Sequence, residues 1–411
     1  MNPEMYDVAI VGAGPAGIVA ANLCGLYGLK AVAFDRADDV YDLPRAVGLW
    51  DDVQRILDNA GILEAIVPST SIPTGAEFVD SDGKRIIGFE LPADFTTDNG
   101  HPPLRNFNQP ELERIARKAL NAHSDVELLV SHEVLEIDQD AESVTLAVRD
   151  LANQQTKTVK ARWLIGCDGA TSFVRKSCGI AWNSHGYDCQ WLVVDISLDD
   201  DKRPPNYATQ ICDPNRPTTL VPLPLGMFRW EFQLREGEAR EEMERPERVW
   251  SLLAPWVSPQ DAKIIRAVVY RFHATIAETF RNGRVFLAGD AAHQTPPFMG
   301  QGLSSGVRDV DNLVWKLGHV RRGLADDTLL DSYSTERHPM AVAMVKHSVN
   351  TGRLIDAYAE MARGGAEPSK ELQAYAYGGD AVLPNVSCKL VQEGNSDWVG
   401  QLVPQCVIQL G

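Results

Sequence analysis

The chain has 411 residues, enough for two or three domains, and its content of 44% hydrophobic and 23% charged residues is that of an ordinary soluble globular protein. A formal net charge of -17 argues against nonspecific binding to nucleic acid or to an anionic membrane surface. The seven cysteines are scattered without a C-x-x-C pair, which predicts reduced thiols in a cytoplasmic protein and no metal site.

No stretch has the roughly 18 uncharged apolar residues that a membrane span needs, so no membrane partner is predicted. Residues 8–29 are apolar, but Glu4 and Asp7 precede them where an export signal would carry basic residues. The glycines of this stretch also follow a nucleotide-binding pattern. Export is therefore not expected.

The first predicted elements form a strand, a glycine-rich turn, a helix and a second strand. The strand Tyr6–Val11 runs directly into Gly12-Ala13-Gly14-Pro15-Ala16-Gly17, and the second strand, Ala31–Phe34, ends at Asp35. G-x-G-x-x-G alone is a weak signal, but here it lies between strand and helix with an acid about twenty residues further on. This context predicts a dinucleotide site.

Each motif residue has a physical role in such a site. Gly12 allows the tight turn, Gly14 lets the backbone approach a pyrophosphate, and Gly17 allows close packing of helix against strand. Asp35 is expected to accept hydrogen bonds from the adenosine ribose. These residues alone leave NAD and FAD open as the ligand.

Two later predicted strands are each followed by a turn that contains an aspartate and a glycine. Residues 162–166 run into Cys167-Asp168-Gly169 before a helix, and residues 285–288 run into Gly289-Asp290. After the second acid, Pro296 and Pro297 force a turn, and Gly300-Gln301-Gly302 opens a helix with apolar residues at helical spacing.

A carboxylate and a helix N-terminus across a glycine-lined loop suit a ligand with hydroxyls and an electron-poor carbonyl edge. Asp290 can accept hydrogen bonds from hydroxyls, and the free N–H groups of the helix can hold negative charge. A flavin has both features, in its ribityl chain and in its N1–C2=O edge.

In order and separation, these three motifs resemble those of the single-component (group A) FAD-dependent aromatic hydroxylases. The resemblance rests on the first glycine motif, the Asp168-Gly169 run, and Gly289-Asp290-Ala291-Ala292-His293 with Pro296-Pro297 and Gly300-x-Gly302. Residues 250–256 and 301–317 are most similar to the branch that hydroxylates 3-(3-hydroxyphenyl)propionate and 3-hydroxycinnamate.

The resemblance implies a mixed α/β fold: a Rossmann-like FAD-binding domain with an inserted β-sheet substrate domain, as in para-hydroxybenzoate hydroxylase. We assign residues 1–183 and 276–362 to the two parts of the FAD-binding domain and residues 184–275 to the substrate domain. Residues 363–411 are assigned to a tail. The stretch 400–405 resembles the start of the linker that, in this branch of the family, leads to a thioredoxin-like domain.

Several cofactor contacts follow from the resemblance, and some have a plain structural alternative. Arg45 could be a solvated surface charge, Gln109 a polar residue near a helix N-cap, and Asp168 a helix cap. The residues assigned to FAD are Gly12, Gly14, Pro15, Ala16, Gly17, Asp35, Arg36, Arg45, Gln109, Asp168, Gly289, Asp290, Pro297, Gly300, Gly302 and Leu303.

The substrate pocket is expected among the strand-rich residues 184–275. Candidate substrate contacts there are Tyr207, Arg216, Arg229 and Trp230, although each could instead be a core aromatic or a solvated arginine. His273 and Tyr270 are candidates for the catalytic base, and Pro297 is expected to shape the pocket wall.

By resemblance, the expected activity is ortho-hydroxylation of a small phenol to a catechol. NADH or NADPH would reduce the bound FAD as a transient co-substrate, and the reduced flavin would add O2 to form a hydroperoxide that the ring attacks. The alternative is a fold-related FAD-dependent reductase that saturates a double bond without O2. A homodimer is left open.

Overall fold

The computed structural model describes residues 5–43, 45–199 and 202–376. Its strands, in chain order, are β1 (Tyr6–Val11), β2 (Ala31–Phe34), β3 (Gly48–Trp50), β4 (Gly75–Val79), β5 (Arg85–Glu90), β6 (Leu104–Asn106), β7 (Val126–Leu129), β8 (His132–Gln139), β9 (Val144–Asp150), β10 (Thr156–Gly166), β11 (Trp182–Leu198), β12 (Ala208–Ile211), β13 (Thr218–Pro222), β14 (Met227–Gln233), β15 (Ala262–Ala277), β16 (Arg281–Asn282), β17 (Val285–Leu287) and β18 (His293–Gln294).

The structure has ten α-helices within its described residues. In chain order they are α1 (Pro15–Leu26), α2 (Asp51–Asn59), α3 (Leu63–Ile66), α4 (Gln109–Ala119), α5 (Phe173–Ser177), α6 (Arg240–Met243), α7 (Pro246–Leu253), α8 (Gly302–Arg321), α9 (Asp331–Ala362) and α10 (Lys370–Gln373).

The first sheet has eight strands, with the path β16-β17-β10-β1-β2-β7. Strands β17, β10, β1, β2 and β7 are mutually parallel, so their carboxyl ends meet at one edge. Parallel strands covered by helices are buried on both faces, which is why these segments are continuous apolar runs. Strands β8 and β9 extend β10 as an antiparallel ribbon.

The second sheet also has eight strands, in the order β18-β15-β11-β14-β13-β12-β4-β5. It is antiparallel apart from the β12–β4 pair. Successive side chains along each strand point to opposite faces of the sheet. One face of β14 carries Phe228, Trp230 and Phe232, which pack with helix α7 into a separate core. The other face, with Arg229 and Glu231, therefore points away from that core.

The strand predictions for residues 192–234 and 267–274 are confirmed, but the membership of the second sheet is wider than expected. Strands β4 and β5 come from the first hundred residues, which we had assigned to the FAD-binding part, and pair with β12. A strand pairs with whichever edge is available, so a local sequence pattern does not determine this choice.

Among the described residues, no helix combines the length and the apolar character that crossing a membrane requires. The predicted linker at residues 400–405 lies outside the described residues.

Candidate flavin and substrate site

The three sequence motifs meet at the carboxyl edge of the first sheet. Register pairs Val11 with Phe34 on one side and with Gly166 on the other, and Gly166 in turn with Leu287. The residues that follow these strand ends are the glycine loop, Asp35, the Cys167-Asp168 turn and the Gly289-Asp290 turn. Ligands of open parallel sheets bind in the crevice beyond this edge.

The glycine loop is closed on one side and open on the other. Gly12 has φ +91, and a Cβ at this position would lie 2.5 Å from the carbonyl oxygen of Cys167. A Cβ on Gly17 would lie 1.8 Å from the carbonyl oxygen of Gly12, so helix α1 approaches the loop as closely as predicted. A Cβ on Gly14 would meet no atom within 4 Å. The open side is where a ligand can reach the α1 N-terminus, which begins at Pro15.

Asp35 closes the loop from the end of β2. Its carboxylate accepts hydrogen bonds from the backbone N–H of Ala13 at 2.8 Å and of Ala37 at 2.9 Å. A carboxylate has about four lone-pair sites, so capacity remains for a ribose hydroxyl. The next residue, Arg36, is exposed to solvent.

Asp168 acts as a cap for the short helix α5. One carboxylate oxygen accepts from the hydroxyl of Ser172 at 2.5 Å, and the other accepts from the backbone N–H of Phe173 and Val174 at 2.6 and 3.0 Å. The structural alternative that we left open for this residue is therefore realised. Its side chain holds the turn that follows β10, next to the first glycine loop.

The Gly289-Asp290 turn is held from below by Asp309 of helix α8. Asp309 accepts hydrogen bonds from the Gly289 backbone N–H at 3.0 Å and from Arg337 Nε at 2.8 Å, and it lies 2.6 Å from His293 Nε2. This fixation leaves the side chain of Asp290 exposed at the strand tip. His293 is structural, as its burial at 1% exposure also indicates.

The sequence interpretation missed the role of Asp309. It lies among the polar residues between the apolar positions of α8, where an acid usually faces solvent, and its partners are far away in sequence. The available signal was His293 of the third motif, because a buried histidine needs a hydrogen-bond partner and an acid such as Asp309 can supply it.

The loop before helix α8 has a left-handed backbone at two successive residues. Met299 has φ 75 and Gly300 has φ 62. The hydroxyl of Ser348 in α9 donates to the carbonyl oxygens of Pro296 and Phe298, at 3.0 and 3.1 Å, and holds this conformation. A non-glycine residue with positive φ stores strain that is common at ligand-binding loops.

Helix α8 presents its N-terminus beyond this loop. The first backbone N–H groups of a helix have no intrahelical partner, and here they belong to Gly302, Leu303 and Ser304. A Cβ on Gly300 or Gly302 would meet no atom within 4 Å, so the backbone borders open space. This combination of free donors and space can hold an anionic edge of a ligand.

Arg45 and Gln109 are joined through the backbone. Gln109 Oε1 accepts from the N–H groups of Arg45 and Ala46 at 3.1 and 2.8 Å, and its Nε2 donates to Glu113 at 2.8 Å. Gln109 is buried and positions this loop, while the Arg45 side chain is exposed. Arg229 of the second sheet donates to the carbonyl oxygen of Arg45 at 2.7 Å and links that sheet to this loop.

A cavity of about 390 Å³ lies between this loop system and the second sheet. Its walls are largely apolar, and the Pro297–Gly300 loop forms one side. The sheet contributes polar side chains on the opposite side, which we call the cavity floor: Gln210, Thr219 and Glu231. The other lining residues include Val47, Phe78, Phe89, Leu91, Leu104, Val221, Phe298, Met299 and Ile355.

The predicted substrate contacts do not line this cavity. Trp230 is fully buried on the other face of β14, in the core with α7, since side chains alternate along a strand. Arg216 forms a bidentate pair with Glu238 at 2.9 and 2.5 Å and borders a separate depression of about 600 Å³. Tyr207 lies over the guanidinium of Arg85, 5.9 Å from ring centroid to carbon.

Arg229 is also held internally. It donates to both oxygens of Asp195 at 2.7 and 3.1 Å and is 2% exposed, so it forms an ion pair beside the cavity floor, and its contact with a substrate stays a prediction. A buried arginine needs such a partner because desolvation of an unpaired charge is costly.

Of the three predicted catalytic residues, Pro297 lines the cavity and the two candidate bases do not. His273 lies 3.4 Å from Asp188, and its side chain is 41% exposed. The hydroxyl of Tyr270 accepts from Arg266 Nη1 at 3.2 Å. The two candidates were chosen by residue type, and both lie on a part of β15 that does not border the cavity.

The residues on the cavity floor were not identified from the sequence. Gln210, Thr219 and Glu231 lie on three neighbouring strands, and register places them side by side. The strand-forming residues predicted the strands, but they did not show which face would border a cavity rather than water.

The groups at the carboxyl edge of the first sheet match those that FAD requires. Space above Gly14, Gly300 and Gly302, free N–H groups at two helix starts, and carboxylates at two strand tips match a pyrophosphate, a flavin edge and ribose or ribityl hydroxyls. This arrangement defines a dinucleotide-binding protein of the flavoprotein class, with a second sheet that encloses a cavity beside the cofactor edge.

The chain belongs to the FAD binding domain family, whose model matches residues 5–348. It is 36% identical over 350 residues to the 3-(3-hydroxy-phenyl)propionate/3-hydroxycinnamic acid hydroxylase of Shigella sonnei (strain Ss046), covering 85% of this chain. The chain spans 62% of that relative's length. The predicted family is therefore confirmed.

Two solved structures share the fold over most of the chain. The p-nitrophenol 4-monooxygenase PnpA from Pseudomonas putida DLL-E4 is 26% identical, with a TM-score of 0.77, and the match covers 91% of this chain and 96% of that one. The flavin-dependent monooxygenase PieE, in complex with FAD and substrate, is 25% identical with a TM-score of 0.78, covering 92% and 70% of the two chains. The predicted fold class is confirmed.

Proposed function

We propose that this chain is a FAD-dependent aromatic hydroxylase that places one oxygen atom ortho to the hydroxyl of a phenol. The overall reaction is phenol, O2, NAD(P)H and H⁺ giving catechol, NAD(P)⁺ and water. The observation that carries the proposal is the cavity itself, because it joins the Pro297–Gly300 loop at the cofactor edge to a largely apolar chamber with a polar floor. Such a chamber suits an aromatic ring with one or two polar groups.

The names of the relatives support the same chemistry. The Shigella sonnei relative is named as a hydroxylase of 3-(3-hydroxyphenyl)propionate and 3-hydroxycinnamic acid, and PnpA is named as a monooxygenase of p-nitrophenol. All three compounds are phenols. We therefore propose a phenol with a side chain of the 3-(3-hydroxyphenyl)propionate kind as the substrate class.

FAD, when bound, supplies the exchange of two electrons with NAD(P)H and the activation of O2. We propose that Asp35 and the start of α1, with Pro15 and Ala16, hold its adenosine ribose and pyrophosphate. The open glycine loop and the remaining lone pairs of Asp35 support this assignment.

We assign the flavin half to the second strand tip and to helix α8. Asp290 would accept from ribityl hydroxyls, and the N–H groups of Gly302 and Leu303 would stabilise negative charge on the N1–C2=O edge. Exposure of Asp290 and open space at Gly300 and Gly302 support these roles. Arg45 borders the same edge and is a candidate contact for the flavin or for NAD(P)H.

The apolar wall of the cavity has a chemical task. Residues such as Phe78, Leu91 and Phe298 hold the ring and exclude water, which would otherwise divert reduced oxygen to H2O2.

The division into FAD-binding and substrate-binding parts is part of the same proposal, with β4 and β5 added to the substrate side.

The test is oxidation of NADH and NADPH by the FAD-loaded protein, with O2, H2O2 and catechol followed together. The panel contains 3-(3-hydroxyphenyl)propionate, 3-hydroxycinnamate, 4-nitrophenol and 4-hydroxybenzoate. Catechol from a 3-hydroxyphenyl compound with little H2O2 supports the proposal. Turnover of an alkene acceptor without O2 uptake, with no phenol stimulating O2 uptake, would favour the flavin reductase instead.

A further inference from the structure

The cavity floor carries a carboxylate, Glu231, to which no described residue donates a hydrogen bond. Its closest charged neighbour is Arg229 Nη1, at 3.9 Å from Oε1. Both residues lie on the same face of β14; Glu231 lines the cavity, and Arg229 lies beside it, toward Asp195. Resting on the proposed function, we propose that Glu231 is the catalytic residue that accepts the proton of the substrate's phenolic hydroxyl.

The other polar side chains of the cavity are engaged in part, and the two unpartnered atoms among them, Asn106 Oδ1 and Trp50 Nε1, belong to an amide and an indole, which do not take up a proton as a carboxylate does. The Thr219 hydroxyl donates to Gln210 Oε1 at 2.7 Å, and Gln210 Nε2 donates to the carbonyl oxygen of Thr218 at 3.1 Å. Asn106 Nδ2 donates to the carbonyl oxygen of Pro222 at 2.7 Å. These contacts fix the floor and leave the oxygens of Glu231 available to a ligand hydroxyl.

The second carboxylate of the cavity lining differs in this respect. Glu77 Oε2 accepts from Arg85 Nε at 2.7 Å, and its Oε1 accepts from the Thr209 hydroxyl at 3.3 Å. Both oxygens of Glu77 are therefore already occupied by donors, whereas those of Glu231 are open to a ligand hydroxyl.

Charges beside the cavity floor, on the same face of the sheet, balance the charge of Glu231. Asp195 on β11 pairs with Arg229 at 2.7 Å and with Arg266 of β15 at 2.8 Å. With Glu231 ionised, these two arginines face two carboxylates. When a phenol binds and passes its proton to Glu231, the negative charge moves from the carboxylate to the phenolic oxygen, and the total charge of the cluster is unchanged.

The basicity of Glu231 agrees with this role. Burial raises the pKa of Glu231 above its ordinary value; Arg229 and Arg266 act in the opposite direction, and Asp195 adds to the effect of burial. A carboxylate with a raised pKa is a stronger base than an ordinary one.

The proton transfer balances within the proposed reaction. The phenolic O–H bond breaks, an O–H bond forms on Glu231, and the electron pair stays on the phenolic oxygen, which makes the ortho carbon nucleophilic. After this carbon has received a hydroxyl group whose oxygen derives from O2, it releases its hydrogen as a proton to solvent. Glu231 then returns its proton to the phenolic oxygen, and the ring becomes a catechol.

The variants that test the proposal are Glu231→Gln, Glu231→Asp and, as a matched control, Glu90→Gln. Glu90 lies on β5 of the same sheet and forms a surface ion pair with Arg85 at 3.0 Å. We expect E231Q to lower kcat for catechol formation by about 10²- to 10⁴-fold and to lose the acid limb of the pH profile. E231D should recover part of the rate, and E90Q should stay near wild type.

A binding measurement tests the same group without turnover. 4-Nitrophenol ionises near neutral pH, and its phenolate absorbs visible light. Above that pH its complex with wild type must take up one proton, so its Kd should rise about tenfold per pH unit. In E231Q the charge of Arg229 is no longer balanced, so 4-nitrophenol should bind as the phenolate and the slope should disappear.

The outcomes separate the two proposals. A wild-type protein that forms no catechol from any phenol overturns the proposed function and the catalytic role with it. Catechol formation that E231Q retains within about threefold, with its acid limb intact, overturns the role of Glu231 alone. If E231Q does not fold, partial activity of E231D and the wild-type proton uptake support the role, and a pH-independent Kd in wild type contradicts it.

Discussion

The carboxylate of Asp309 lies 2.6 Å from Nε2 of His293, and both side chains are withdrawn from solvent. Asp309 also receives the Gly289 backbone N–H and the guanidinium of Arg337. One residue of helix α8 thus connects the strand tip before Asp290, the following turn and helix α9. The position of the Gly289-Asp290 turn at the cofactor edge therefore depends on the buried contacts of Asp309.

We expect Asp309→Asn to destabilise the protein by about 3–5 kcal/mol, because it breaks a buried charge network. Loss of the anchor at Gly289 should also weaken FAD binding. Chemical denaturation and FAD titration measure the two effects. The control is Asp38→Asn at an exposed position. A variant as stable as that control would contradict the anchoring role.

The same contact predicts a pH dependence. Burial alone would raise the pKa of Asp309, but the charges of His293 and Arg337 and their hydrogen bonds outweigh it and hold the pKa below its ordinary value. A lowered pKa contributes stability at neutral pH that is lost as the pH falls through the folded-state value. The gap between the unfolding free energies of wild type and D309N should therefore narrow below about pH 4. A constant gap between pH 7 and pH 3 would show that another group dominates.

Two glycines of the first loop should respond differently to alanine. A Cβ at Gly14 meets open space at an ordinary φ of -71, so G14A should keep the thermal stability of the cofactor-free protein. It should lower FAD affinity by roughly tenfold or more, because the methyl group would occupy the expected pyrophosphate position. G17A should lower the stability itself, since its Cβ would lie 1.8 Å from a backbone oxygen. Unaltered FAD affinity in G14A would count against the assigned pyrophosphate position.

A buried ion pair joins helices α8 and α9. Lys316 Nζ lies 2.7 Å from Glu336 Oε2 and 2.9 Å from Asn312 Oδ1. Lys316→Met should cost about 3–5 kcal/mol because Glu336 would keep a buried charge, whereas K316M/E336L should regain most of that loss. A double-mutant cycle from urea denaturation measures the coupling. Additive single effects would mean that the pair contributes little.

The turn between β13 and β14 offers a stabilising change. Leu225 and Gly226 have φ 61 and 75, and Leu225 is 74% exposed. Asparagine is favoured at the first position of such a turn, so Leu225→Asn should raise the unfolding free energy by up to about 1 kcal/mol. Leu225→Val should lower it, since a β-branched residue tolerates positive φ poorly. Equal melting temperatures for the two variants would rule out this explanation.

Much of the cofactor edge was evident from the sequence. The strand before Gly12, the acids at positions 35 and 290, and the glycines before α8 are local patterns, and local patterns report strand ends, turns and helix starts directly. The strand-forming residues within 184–275 likewise predicted most strands of the second sheet. Family resemblance then linked these separate motifs to FAD.

The sequence by itself determined which segments end in a ligand-binding turn, because backbone geometry at such turns depends on neighbouring residues. Only the tertiary structure decided which side chains surround the cavity. Glu231 faces the cavity while Trp230 faces a core, and Asp309 reaches Gly289, because strand register and helix docking set contacts between residues far apart in the chain. Residue type suggested two arginines, two tyrosines, a tryptophan and a histidine for the substrate and base roles, whereas the structure pairs both arginines with carboxylates and places a glutamate on the cavity floor.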